Sequence, residues 1–335
     1  MELNIGKMPK GIHNSIADVP GVKVGHTTID NMQNKTGVTV ILPCEDDIFQ
    51  NKMVAACHVL NGFGKSLGLM QIQELGTLES PIALTNTLNV GLVHDALVEY
   101  LCTSAEKNGY SIRSVNPVVC ECNDASLNNI RHRAVGYHEV MHAIQNASVI
   151  FEQGDVGAGK GMTCHDLKGG IGSSSRLISL NGQNYTIGVL VLSNHGSLND
   201  LTIHGEPVGL KIDNIIKENS PDEGSCIMIV ATDLPVTSRQ LGRIIRRCSV
   251  GLARLGSYIG HGSGEVMIGF STSARIPQSG EVMNIKCIHE SKMDLAFRAV
   301  AEATEEAVLN SMLYAKKVVG YSGKVRESLT KYWKP

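Results

Sequence analysis

The chain holds 335 residues, with 30 Lys+Arg against 32 Asp+Glu, a formal charge of −2, and 42% hydrophobic residues. That balance offers no basic stripe of the kind phosphate neutralisation needs, so a nucleic-acid partner is not expected. No apolar run reaches the about 18 residues that span a bilayer, and the start lacks the apolar core of an export signal; the expectation is a cytoplasmic protein with no membrane partner.

In chain order, short β-branched runs at 38–42 and 82–85 read as strands, and 90–107 reads as a helix. A strand at 118–122 and a helix at 138–149 follow. Strands are then expected at 185–192, 226–231, 266–270 and 282–288. The 238–255 helix carries Leu241, Ile244, Ile245, Cys248, Leu252 and Leu255 on one stripe, with Thr237 or Ser238 as N-cap. A last helix is expected over 294–318. Most of the strand runs lack alternation, which means cover on both faces and hence a layered α/β or α+β sandwich. Three strands around a single helix do not sustain a βαβα order, so a plain Rossmann sheet loses support. No repeat or linker divides the chain, which reads as a single domain over 1–335.

The nine cysteines are odd in number and scattered. They read as reduced thiols, and Cys120 and Cys122 are spaced too closely for the usual metal pair. Glycine is in excess, at 35 residues where an average chain this long holds roughly 23. The run from Gly154 to Gly161 nearly spells a phosphate loop, but Gly161 stands where a hydroxyl would hold magnesium. It reads as a tight loop, which Lys168 to Arg176 extends. His138-Glu-Val-Met-His142 is a literal H-E-x-x-H, and a zinc peptidase built on it lacks an evident third ligand.

Other short segments carry sharper chemistry. Gly224-Ser225 sits at the head of an apolar strand, the arrangement a self-cleaving amidohydrolase needs, because glycine tolerates backbone strain at the scissile bond and the hydroxyl attacks the preceding carbonyl. Ser263 and Glu265 are two apart, so a carboxylate could orient a hydroxyl on one strand face. Asn194 ends another apolar strand and could donate to an oxyanion. Each segment alone also fits an ordinary polar turn.

Together these segments resemble the self-processing serine aminopeptidases typified by DmpA, the L-aminopeptidase D-Ala-esterase/amidase, with the β-peptidyl aminopeptidases as relatives. The resemblance runs through 16–26, 61–64, 85–87, 118–124, 168–176, 193–196, Gly224-Ser225 and 262–265. It implies a four-layer αββα sandwich of the DmpA/ornithine-acetyltransferase type, like the N-terminal-nucleophile hydrolases. It further implies cleavage between Gly224 and Ser225 into fragments 1–224 and 225–335, with Ser225 as nucleophile, Ser263 and Glu265 as its relay, Asn194 as oxyanion donor and Glu121 as receptor of the substrate ammonium. No metal or organic cofactor is implied; the substrate would be a small peptide, amide or ester, and the protein a homo-oligomer, a tetramer of α/β pairs. Ala125-Ser126 departs from the Gly-Tyr of some members, and Tyr137 is a candidate replacement for the missing phenol. The rival readings are an ornithine acetyltransferase-like acyltransferase, disfavoured by serine in place of threonine, the zinc peptidase, and a non-catalytic homologue.

Overall fold

The computed structural model describes residues 4–216 and 224–335. Its strands are β1 (Lys23–Asp30), β2 (Lys35–Leu42), β3 (Asn51–Gly62), β4 (Thr77–Leu78), β5 (Ile82–Asn86), β6 (Val118–Cys122), β7 (Thr163–Cys164), β8 (Leu167–Lys168), β9 (Gly170–Leu180), β10 (Gln183–Asn194), β11 (Gly224–Thr232), β12 (Ser263–Pro277), β13 (Val318–Val319) and β14 (Val325–Arg326). The α-helices are α1 (Leu69–Leu75), α2 (Val90–Lys107), α3 (Tyr137–Gln145), α4 (Val208–Ile216), α5 (Ser238–Ile245), α6 (Cys248–Arg254) and α7 (Met293–Leu313). One sheet runs β1-β2-β5-β6 and the other β4-β3-β12-β11-β10-β9. Only β5–β6 and β11–β12 are parallel among the pairs within these two sheets.

Period-2 alternation explains why the strands read as continuous apolar runs. Along β11, Ile227, Ile229 and Ala231 enter the core between the two sheets, while Cys226, Met228 and Val230 enter the core beneath α5, α6 and α7. Val38, Val40, Ala83 and Val119 of the smaller sheet pack on α2 and α3. Helices therefore cover both outer sheet faces, giving the expected αββα sandwich, and each fully buried Val or Ile contributes about 1.5–3 kcal/mol.

Several boundaries differ from expectation. No strand forms at 282–288: Val282 is 91% exposed, and Ile288 donates its N–H to Pro235 rather than to a strand. The 238–255 helix is two, because Arg247 gives its backbone N–H to Ile244 and its guanidinium to the Arg243 carbonyl, displacing the regular ladder. Helix α3 stops at Gln145 because Ser148 turns out to pair with Val24 of β1. Helix α7 ends at Leu313, and the following residues descend to Asp155, which accepts from the Lys316 N–H.

The segment expected to be loop at 168–176 is largely β9, an edge strand. Its small residues seat a helix: a Cβ on Gly172 would lie 1.9 Å from the Ala307 carbonyl oxygen of α7. Beside it the fully buried Arg176 donates to Glu306 at 2.7 Å and to Glu302 at 3.4 Å, so the strand and α7 are held by paired charges as well as by contact.

Candidate active site

Strands β10, β11 and β12 end side by side, and their register places the polar residues. The antiparallel β10–β11 ladder matches Asn194 with Ser225, and the parallel β11–β12 ladder matches Gly224 with Ser263 and Ser225 with Gly264. Ser225 is 4% exposed, and its hydroxyl donates to the Gly224 carbonyl oxygen at 2.6 Å. The Ser263 hydroxyl donates to the Glu265 carboxylate, both side chains being fully buried.

Two glycines are required here for different reasons. Gly224 has φ +139°, in the region that favours glycine, and a Cβ there would lie 2.0 Å from the Asn194 carbonyl oxygen. At Gly264 a Cβ would meet the Phe63 carbonyl oxygen at 2.6 Å and the Ser225 hydroxyl at 3.1 Å, so glycine keeps the space around that hydroxyl open.

The Asn194 amide has a fixed orientation. Its Oδ1 accepts from the Thr163 backbone N–H at 2.9 Å, which can only donate, and its Nδ2 donates to the Asn123 carbonyl at 3.1 Å. One further Nδ2 proton remains for an acceptor in the cavity. Glu121, 2% exposed, accepts from the Lys65 backbone N–H at 3.0 Å and from the Thr87 hydroxyl. Each carboxylate oxygen keeps a lone pair that a cationic group could use.

Ser225, Asn194, Glu121, Thr87 and Ser126 all line one cavity of ≈ 410 Å³. The structure thus brings Ser225, Asn194 and Glu121 to a single cavity, with Ser263 and Glu265 buried on the neighbouring strand. Tyr137 does not line this cavity and is 41% exposed, so it does not replace a phenol there; Ser126 occupies the wall instead.

Other motifs resolve into structural roles. Glu139 accepts from the Gly136 N–H at 2.9 Å and so caps α3, while His142 bonds Thr27 and Asn146. His138 and His142 are exposed and share no metal-binding group with a third ligand among the described residues. Lys160 pairs with Asp30 at 2.8 Å and Asp155 at 3.0 Å, which leaves the glycine run a closed structural turn. Lys168, fully buried, donates to the carbonyls of Gly159, Met162 and Gly169 and so ties that turn to β9. None of the nine cysteines is in a disulfide, and burial pushes the Cys120 thiol up to about 12.

Sequence reasoning missed Thr163 and saw Thr87 and Asn123 only inside the blocks 85–87 and 118–124, without the part they play in orienting the two central polar side chains. Asn123 acts through its backbone carbonyl and Thr163 mainly through its backbone N–H, with a longer donation from its hydroxyl at 3.4 Å, so residue type carries little signal for them. Asn61 was visible only as part of a block; its amide donates to the carbonyls of Gly260 and Ser263 and stitches the turn that delivers Ser263.

Residues 14–326 match the profile of peptidase family S58. A β-peptidyl aminopeptidase of Sphingosinicella xenopeptidilytica is 36% identical, over 92% of this chain and 83% of that protein. Among solved structures, a Pyrococcus horikoshii protein superposes with a TM-score of 0.92 at 47% identity, over 98% of this chain and 94% of the other. The L-aminopeptidase D-Ala-esterase/amidase of Ochrobactrum anthropi, described as a variant of the N-terminal-nucleophile hydrolase fold, gives 0.90 at 31% identity over 97% and 93%. With a polar cavity of this construction and a match spanning nearly its whole length, the chain belongs to peptidase family S58 and is a hydrolase of the aminopeptidase type.

Proposed function

We propose that the protein is a self-cleaving serine aminopeptidase acting on short peptides, amino-acid amides or esters that carry a free amine. The observation that carries this reading is the position of Ser225, whose hydroxyl reaches the preceding carbonyl at 2.6 Å while its neighbours Asn194 and Glu121 face the same cavity.

In the cleavage step the Ser225 oxygen bonds to the Gly224 carbonyl carbon. The C–N bond to Ser225 breaks and its nitrogen takes the proton the hydroxyl gives up, leaving residues 1–224 as an ester. Water hydrolyses that ester to a carboxylate on Gly224 and frees the Ser225 amine. In turnover the same oxygen attacks the substrate carbonyl, and the freed amine takes the hydroxyl proton and returns it to the leaving group. Asn194 donates to the oxyanion, Ser263 orients Ser225 with Glu265 behind it, and Glu121 holds the substrate ammonium. The resemblance further supports a homo-oligomer, a tetramer of cleaved pairs.

Mass spectrometry under denaturing conditions tests the processing, with two fragments split at Gly224 expected from the wild type and one inactive 335-residue chain from Ser225→Ala. Intact wild-type chain with full aminopeptidase activity would refute it. Light scattering checks the assembly.

A further inference from the structure

Beside the strand ends lies a second cluster that the proposed chemistry does not use. Cys164, at the end of β7, and His165 and His195 are all buried, and one donor atom from each lies within 4.8 Å of the others. Around a zinc ion, with Zn–S about 2.3 Å and Zn–N about 2.0 Å, tetrahedral donors stand about 3.3–3.6 Å apart, so a modest contraction closes the set.

The surroundings orient the imidazoles as ligands. His165 Nδ1 lies 2.8 Å from the Ser197 carbonyl oxygen, which can only accept, so Nδ1 carries the proton and Nε2 is the basic nitrogen of the ring. His195 is 1% exposed, and neither of its ring nitrogens has a hydrogen-bond partner. A buried ring with two idle polar atoms is a standing cost, which a ligand bond would relieve.

The backbone holds the cluster in place. His165 and Asp166 are the central residues of the tight turn between β7 and β8, with φ of +47° and +58°. Such turns usually take Asn-Gly, so a histidine there is a departure from the common turn residues. Asp166 Oδ2 accepts from the Leu198 N–H at 3.1 Å and ties this turn to the segment bearing His195. At Gly196 a Cβ would come within 2.5 Å of the His165 ring, so glycine is what lets the ring lie there.

We propose that Cys164, His165 and His195 bind a thiophilic transition-metal cation of the zinc class. One thiolate and two neutral imidazoles suit such an ion, which on binding displaces the Cys164 proton to solvent. Three protein ligands leave a fourth position for a small exogenous ligand, and His195 lines the ≈ 410 Å³ cavity. The site does not depend on the aminopeptidase reading, because none of its ligands carries a step of that reaction.

The test is titration of the full-length, reduced protein with Co2+, followed by its thiolate-to-cobalt charge-transfer band. One equivalent is expected, bleached by Zn2+, absent from Cys164→Ser and weakened at least tenfold in affinity in His195→Gln, with His142→Ala unchanged. If Cys164→Ser does not fold by circular dichroism, His195→Gln at the cavity wall decides. A wild type without the band, or a band that survives the changes at both positions, overturns the site.

Discussion

Asn194 and Ser225 are the last matched pair of the antiparallel β10–β11 ladder, so the candidate oxyanion donor and the candidate nucleophile are fixed to one another by backbone hydrogen bonding. Neither depends on a mobile loop for its position relative to the other, which is the rigidity an attacking hydroxyl and a preorganised donor need.

Asn194→Ala removes the amide whose free proton faces the cavity. Loss of one such donor lowers kcat by about 100- to 1000-fold in other hydrolases. Steady-state kinetics on a p-nitroanilide should show that loss in kcat with little change in KM. The Thr163 N–H and the Asn123 carbonyl lose their partner in this variant, so a thermal melt should accompany the kinetics.

Gly224→Ala should slow or abolish self-cleavage while leaving Ser225 in place. The added methyl would meet the Asn194 carbonyl oxygen at 2.0 Å in a backbone conformation unsuited to L side chains. Time-resolved gel analysis after expression would show accumulation of the full-length chain. Processing at the wild-type rate would show that the strand end relaxes freely.

Glu121→Gln keeps the shape and one acceptor but removes the charge. A hydrogen bond to a charged group is worth about 1.5–3 kcal/mol, so kcat/KM for a free-amine substrate should fall about 10- to 150-fold. The same substrate with its amine acetylated gains nothing from the carboxylate, and its slow turnover should be unaffected. An equal loss for both substrates would place Glu121 outside ammonium recognition.

Asp124 gives the fold a pH dependence near the site. Burial, opposed by hydrogen bonds from Thr36, Asn128 and Asn86, raises its carboxyl from 3.8 to about 6. The folded state therefore binds a proton that the unfolded chain has lost between those values. The associated stability is fully present below pH 3.8 and is lost as pH rises through 6. The difference is about 3 kcal/mol at neutral pH, counted against the native state. Asp124→Asn should thus gain stability relative to wild type as pH rises from 4 to 7, with the difference closing in acid, as read from urea midpoints at each pH.

How much could be read from residues alone differs by element. Helix α2 was expected at its observed limits, because its apolar stripe and the turn chemistry at both ends are local properties. The strands β2, β5, β6, β10, β11 and the core of β12 were visible as short apolar runs, since burial on both faces leaves no polar position to confuse the pattern. Strands β1 and β3 and edge strand β9 were not, because polar and small residues there serve partners distant in the chain. Gly172 is explained by α7, and Arg176 by Glu302 and Glu306. Val282 to Ile288 misled for the opposite reason: β-branched residues favour a strand only where a neighbouring strand accepts the hydrogen bonds.

The sequence by itself determined the layered architecture and the family resemblance, and through that resemblance it named Ser225, Ser263, Glu265, Asn194 and Glu121 as candidates, because periodicity, spacing and residue chemistry are carried in short segments. Tertiary structure alone decided that Asn194 and Glu121 share the Ser225 cavity, that Thr163 and Asn123 orient the amide, and that Cys164, His165 and His195 converge. Those facts rest on strand register and on a hairpin folding against a distant strand end, and register is set by the packing of whole faces rather than by neighbours along the chain.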